Sequence, residues 1–199
     1  MTERLSEVRS DAGTLEVPGG RRMVVAANVR LLREGLAVLE EVSDTLYTCT
    51  TSFAPGGSAG EHLRHTLDFY EVLLRDLHSA RIDYVNRPRN PRIEVERAHA
   101  LERGATVARE VARISADQLS RPLLVHAEDE SAGADVGLTE EAPESWSHST
   151  LHRELQFLIS HTVHHFALIA VVLRALGHEP PPAFGVAAST LRHRKAAAH

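Results

Sequence analysis

The sequence predicts an all-α protein, a four-helix bundle with a long crossover and a short irregular or hairpin insertion before the last long helix. Three observations carry that expectation. Four stretches repeat apolar residues at spacings of three and four, glycine, proline and capping residues separate them, and only Pro122–Ala127 has the character of a strand. The 199 residues suffice for one domain with its own core. A flexible N-terminal arm is expected over 1–20, a single helical domain over 21–191 and a basic C-terminal tail over 192–199.

The first helix is expected from about Arg22 to Leu46, where Val25, Val29, Leu32, Leu36, Leu39 and Val42 form one stripe and Arg30, Arg33, Glu34, Glu40 and Glu41 the opposite face. Pro55-Gly56-Gly57 breaks it, and Ser58 with Glu61 then forms a capping box that starts the second helix, ending near His78-Ser79. Ile82–Arg92 holds two prolines and reads as an extended crossover over one end of the bundle. Asn90 as N-cap and Pro91 at the first helical position open a third helix, which continues to about Ser115. Asp129–Glu144 reads as a hairpin or an irregular excursion. Ser147–Thr150 offers N-caps for the fourth helix, Gly177 ends it, and Phe184–Leu191 makes a short return.

Composition removes several function classes. A net charge of −5, from 22 basic and 27 acidic residues, gives no positive field for nucleic acid. Cys49 is the single cysteine, which excludes an internal disulfide and a Cys-rich metal site and suits a reducing, cytoplasmic compartment. Residues 1–20 lack the apolar core of a signal peptide, and no run is expected to span a membrane. Gly56-Gly57-Ser58-Ala59-Gly60 lacks the Lys-Ser/Thr of a phosphate loop, and neither the His-Glu-x-x-His nor the Gly-x-Ser-x-Gly motif occurs.

What remains is histidine, thirteen in all. Within the apolar run Glu154–Gly177, His161 and His165 stand one turn apart on one helical face, while His164 points elsewhere. Such a pair can hold a divalent metal, but a tight site needs a third protein ligand. The second helix offers His62 and His65, with Asp68 one turn beyond His65, placed to ligate or to hold that ring from behind.

His65-Thr66-Leu67-Asp68 resembles the His-x-x-Asp step in the second helix of the DinB/YfiT-like proteins. The run from His161 through His165 to Leu173-Arg174-Ala175-Leu176-Gly177 is similar, in register, to the last long helix of that family. The resemblance covers roughly 22–178. It implies a four-helix bundle, often a homodimer, with one divalent metal, zinc or nickel, held by His65, His161 and His165 and open to solvent. His165 is followed by Phe166-Ala167-Leu168, whereas the family commonly has His-Arg-Gly-Gln there.

The metal's open position points to a small-molecule substrate. Because several relatives use thiols such as bacillithiol or mycothiol, the resemblance implies transfer of a low-molecular-weight thiol to a small electrophile. A metal-dependent hydrolase and a non-catalytic metal-binding stress or partner-binding bundle are the alternatives. Glu154, on the His161 stripe, is the candidate general base or else a helix-start carboxylate facing the dipole. Arg87, Arg89 and Arg92 form a candidate anion clamp or a solvated loop, and Tyr84 lines the pocket or pins the crossover.

Overall fold

Periodicity and caps become helices where expected, and the breaks between them are made by identifiable side chains. A computed structural model of the chain describes residues 20–51, 57–127 and 146–197. Residues 1–19 of the expected arm, the Pro55-Gly56 turn, the Asp129–Glu144 excursion and residues 198–199 lie outside the described residues. The element order is α1 (Gly20–Glu40), α2 (Asp44–Thr48), α3 (Ala59–Asp76), β1 (Arg81–Asp83), α4 (Pro91–Val95), α5 (Arg97–Val111), a 3₁₀ turn (Ala116–Ser120), β2 (Pro122–His126), β3 (Trp146–Thr150), α6 (Leu151–Ala175) and α7 (Ala188–Ala197).

The first expected helix is two. Ser43 accepts from Leu46 N at 3.2 Å and starts α2, while Arg97 donates to the carbonyls of Leu39 and Glu40 at 3.3 and 3.2 Å. The last carbonyls of α1 thus find a cation from a distant helix instead of a continuing turn. The expected third helix also divides. Asn90 caps α4 by accepting from Arg92 N at 3.1 Å, but Glu96 adopts φ −111°, ψ 87° and α5 begins anew at Arg97. The capping box of α3 forms as expected, Ser58 Oγ accepting from Glu61 N at 3.2 Å.

The all-α expectation needs correction, since the molecule is mostly helical with a small three-stranded sheet in the order β1-β2-β3. β2 runs antiparallel to β3, with Leu124 opposite His148, and parallel to β1, with Ile82 opposite Val125. A two-stranded ribbon is marginal in water. The crossover supplies the third strand and drives Ile82 into the core beside Leu123 and Val125. Ser147–Thr150 therefore belongs to a strand, and only Thr150 caps α6, accepting from Arg153 N at 3.3 Å.

α1 packs on α5 and α6, and α3 packs on α4, α5 and α6. Gly35 lets α1 approach α6, because a Cβ there would meet the Phe166 ring at 2.1 Å. A buried polar chain ties three helices together: Tyr70 of α3 donates to Asn28 Oδ1 of α1 at 2.7 Å, and Thr162 of α6 stands 3.1 Å from the same hydroxyl. Since the phenol proton goes to Asn28, Thr162 is the donor in the second bond. Asn28 Nδ2 then donates to Val24 O and Leu155 O.

Two further expectations change. By length and composition α6 is apolar enough to cross a membrane, contrary to the sequence reading; here it packs against α1 and α3. The short return and basic tail contain one helix, α7, with no buried residue, while Phe184 before it stacks on Phe166 at 5.1 Å. Gly177 ends α6 at φ +82°, a left-handed conformation, and His178 N closes the end on Leu173 O at 2.9 Å.

Candidate metal centre

α3 and α6 face each other along the stripe that carries histidines on both. His65 from α3 and His161 and His165 from α6 each bring one ring nitrogen into a group whose atoms all lie within 4.8 Å of one another. Ring centroids are 5.0 Å apart for His65–His161 and 4.5 Å apart for both His65–His165 and His161–His165. One divalent ion could gather the three donors with small ring rotations. Three histidine donors suit zinc, nickel and other borderline cations rather than calcium or magnesium.

Two observations make this more than crowding. His161 Nε2 is buried with no hydrogen-bond partner among the described residues, a state that costs free energy unless something ligates it. The rings are also held neutral: burial first, then the neighbouring imidazoles, lowers His161 to about 4 and His165 to about 3, against an ordinary 6.5. Neutral imidazoles keep the lone pairs a metal needs. The residues present therefore fit a metal ion.

The remaining predicted residues distribute unequally. His164 is exposed, as the helical geometry requires. Asp68 is buried one turn beyond His65, and its Oδ2 is taken by Arg64 at 2.8 Å while Oδ1 has no hydrogen-bond partner among the described residues. Arg64 in turn reaches Glu94 of α4 at 2.7 Å. Burial raises the Asp68 carboxyl, and Arg64 pulls against that rise.

Glu154 is buried in the first turn of α6 and accepts from Ser149 Oγ at 2.5 Å. Tyr84 is buried beside it, and its hydroxyl closes no hydrogen bond of good geometry among the described residues. Burial, and then the Glu154 carboxylate, raise the phenol. Tyr84, Phe69 and Phe157 form an aromatic wall, with Phe69 5.1 Å from Tyr84 and 4.2 Å from His161.

The three arginines part company. Arg87 donates to Tyr84 O and lies over the Phe69 ring at 4.6 Å, close enough to oppose protonation of His161. Arg92 is a surface residue, forked onto Glu96 at 2.8 and 2.6 Å, and Arg89 is exposed. His62, offered by the sequence beside His65, is buried, and its Nδ1 lies 3.3 Å from His165 Nδ1. Its spacing, three residues before His65, was the available signal. An apolar groove of about 450 Å³ lies elsewhere, between α1, α6 and the segment before α7, and contains none of these side chains.

Comparison with known proteins places these features in a family. Over 114 residues the chain is 32% identical to "FK506-binding protein 5" of Rhizopus delemar, a match covering 57% of this chain and 28% of that protein. The matched stretch is thus under a third of that relative's length. No solved structure matches the chain. The DinB family model matches residues 26–192, a span that holds all three clustered histidines and every strand of the sheet, and the chain belongs to the DinB family.

Proposed function

We propose that α1, α3, α5 and α6 form the four-helix bundle of a metal-dependent enzyme, in which His65, His161 and His165 hold one Zn²⁺ or Ni²⁺ and leave a position for a ligand. The observation that carries this reading is the convergence of one ring nitrogen from each of three histidines within 4.8 Å, and the ring of one of them, His161, also has a buried Nε2 with no hydrogen-bond partner among the described residues. A metal held by three neutral imidazoles lowers the pKa of a thiol or water bound beside it.

Thiol transfer to a small electrophile is the favoured chemistry. Hydrolysis through water asks for a general base near the metal, and the candidate, Glu154, is occupied by Ser149 in the first turn of α6. A thiol, once ionised, needs no such base. Phe69, Phe157 and Tyr84 give the apolar side of a substrate its wall, and Arg87 offers a carboxylate its cation. Arg89 and Arg92 stay out of this role. A homodimer acting on small molecules in the cytoplasm completes the proposal.

The test is metal analysis of untagged protein, followed by assay of a panel of low-molecular-weight thiols with electrophiles, and of esters. The expected result is about one zinc or nickel per chain and thiol-dependent turnover lost in His161→Ala. Stoichiometric metal retained by His65→Ala and His161→Ala alike would sink the three-histidine site. Metal without turnover on any thiol or ester would leave a non-catalytic metal-binding bundle.

A further inference from the structure

Among the described residues His62 is the most buried histidine, 8% exposed, and the three-ligand site gives it no role. It comes from the first turn of α3 and lies against one ligand. Its Nδ1 is 3.3 Å from Nδ1 of His165, with ring centroids 5.4 Å apart. It is not in the group of donor atoms that converge within 4.8 Å. Two ring nitrogens at that separation need one N–H between them, since two lone pairs repel and two N–H groups collide. A neutral imidazole that gives Nε2 to a metal carries its proton on Nδ1. That proton needs an acceptor, commonly a carboxylate or carbonyl. Of the carboxylates on α3, Asp68 is paired with Arg64 and Glu61 accepts from Ser58 N in the capping box.

We propose that His62 is a positioning residue for His165: its Nδ1 accepts from His165 Nδ1–H, fixing the tautomer and ring orientation that commit His165 Nε2 to the metal. A neutral acceptor draws less negative charge onto His165 than a carboxylate does, so the metal keeps more of its Lewis acidity. This rests on the three-histidine reading of the site, and the experiment separates the two.

The probes are Zn²⁺, titrated against a chromophoric chelator, and Co²⁺, read by its visible absorption, on the full untagged chain. His62→Phe removes the acceptor; His62→Asn keeps an acceptor oxygen near the place of Nδ1. The expected result is Zn²⁺ affinity about 10- to 100-fold weaker in His62→Phe, recovery to within about threefold of wild type in His62→Asn, and an unchanged Co²⁺ band intensity in both. Melting of the metal-free variants reports folding, and His62→Leu replaces His62→Phe if the latter does not fold. Unchanged affinity in the variant lacking the acceptor would overturn the proposal. Affinity as weak in His62→Asn as in His62→Phe would overturn it too, and a new spectrum at saturating Co²⁺ would then make His62 a ligand. Wild-type protein that takes up no stoichiometric metal, or His65→Ala that binds as tightly, would remove the underlying site and the proposal with it.

Discussion

The imidazoles of His65 on α3 and His165 on α6 lie 4.5 Å apart, centroid to centroid, where two separate helices bury them against each other. Neither ring could gain a proton there without placing a charge beside the other. That relationship makes the interface between α3 and α6 a place that could hold a metal ion when the rings are neutral and a point of repulsion when they are charged.

The metal-free protein should therefore lose stability on mild acidification. The folded values of about 4 for His161 and about 3 for His165 lie below the unfolded value near 6.5, so between those limits the unfolded chain binds more protons. Stability is then full above about pH 7 and falls as pH drops through 6.5 toward 3. Allowing for solvent screening of half-buried rings, the loss from pH 7 to 5 should be roughly 2 kcal/mol. Urea titrations at the two pH values measure it, and His161→Gln with His165→Gln should flatten the profile. A profile that is already flat in the wild type would show that the rings titrate normally.

Tyr70→Phe should cost about 1–3 kcal/mol. The phenol is wholly buried, and its removal leaves Asn28 Oδ1 and the Thr162 hydroxyl without their shared partner. Chemical denaturation reads the loss. A neutral substitution would mean that water or a rotated Asn28 replaces the bond.

Arg64→Met should destabilise the fold by about 3 kcal/mol, because it strands the Asp68 carboxylate, whose Oδ1 already lacks a hydrogen-bond partner among the described residues. Arg64→Met combined with Asp68→Asn should recover part of that loss. A double variant no more stable than the single one would place the cost in lost packing of Arg64 instead.

Gly60→Ala should cost about 1–3 kcal/mol even though alanine suits a helix better. A Cβ at Gly60 would lie 2.1 Å from the Glu94 carbonyl oxygen, and that neighbour is backbone rather than a side chain able to turn aside. A thermal melt at or above the wild-type temperature would contradict the close approach of α3 and α4.

Local sequence determined the parts of this protein whose physics is local. The capping box Ser58–Glu61, the Asn90-Pro91 start, the Gly177 stop and the one-turn spacing of His161 and His165 follow from helix geometry, and each stands in the structure. His65 was legible too, through its motif and its place on the facing helix. What only the tertiary structure decided depends on partners far away in the chain. Arg97 cuts the first helix because it reaches the carbonyls of Leu39 and Glu40, and β1 is a strand because β2 lies beside it. Of three similar arginines, Arg87 alone lies over Phe69 beside the histidines, whereas Arg92 turns to Glu96. His62 lies against His165 only because α3 and α6 set their side chains at one depth. Periodicity names the face on which a residue stands, and the packing of helices decides which other face it meets.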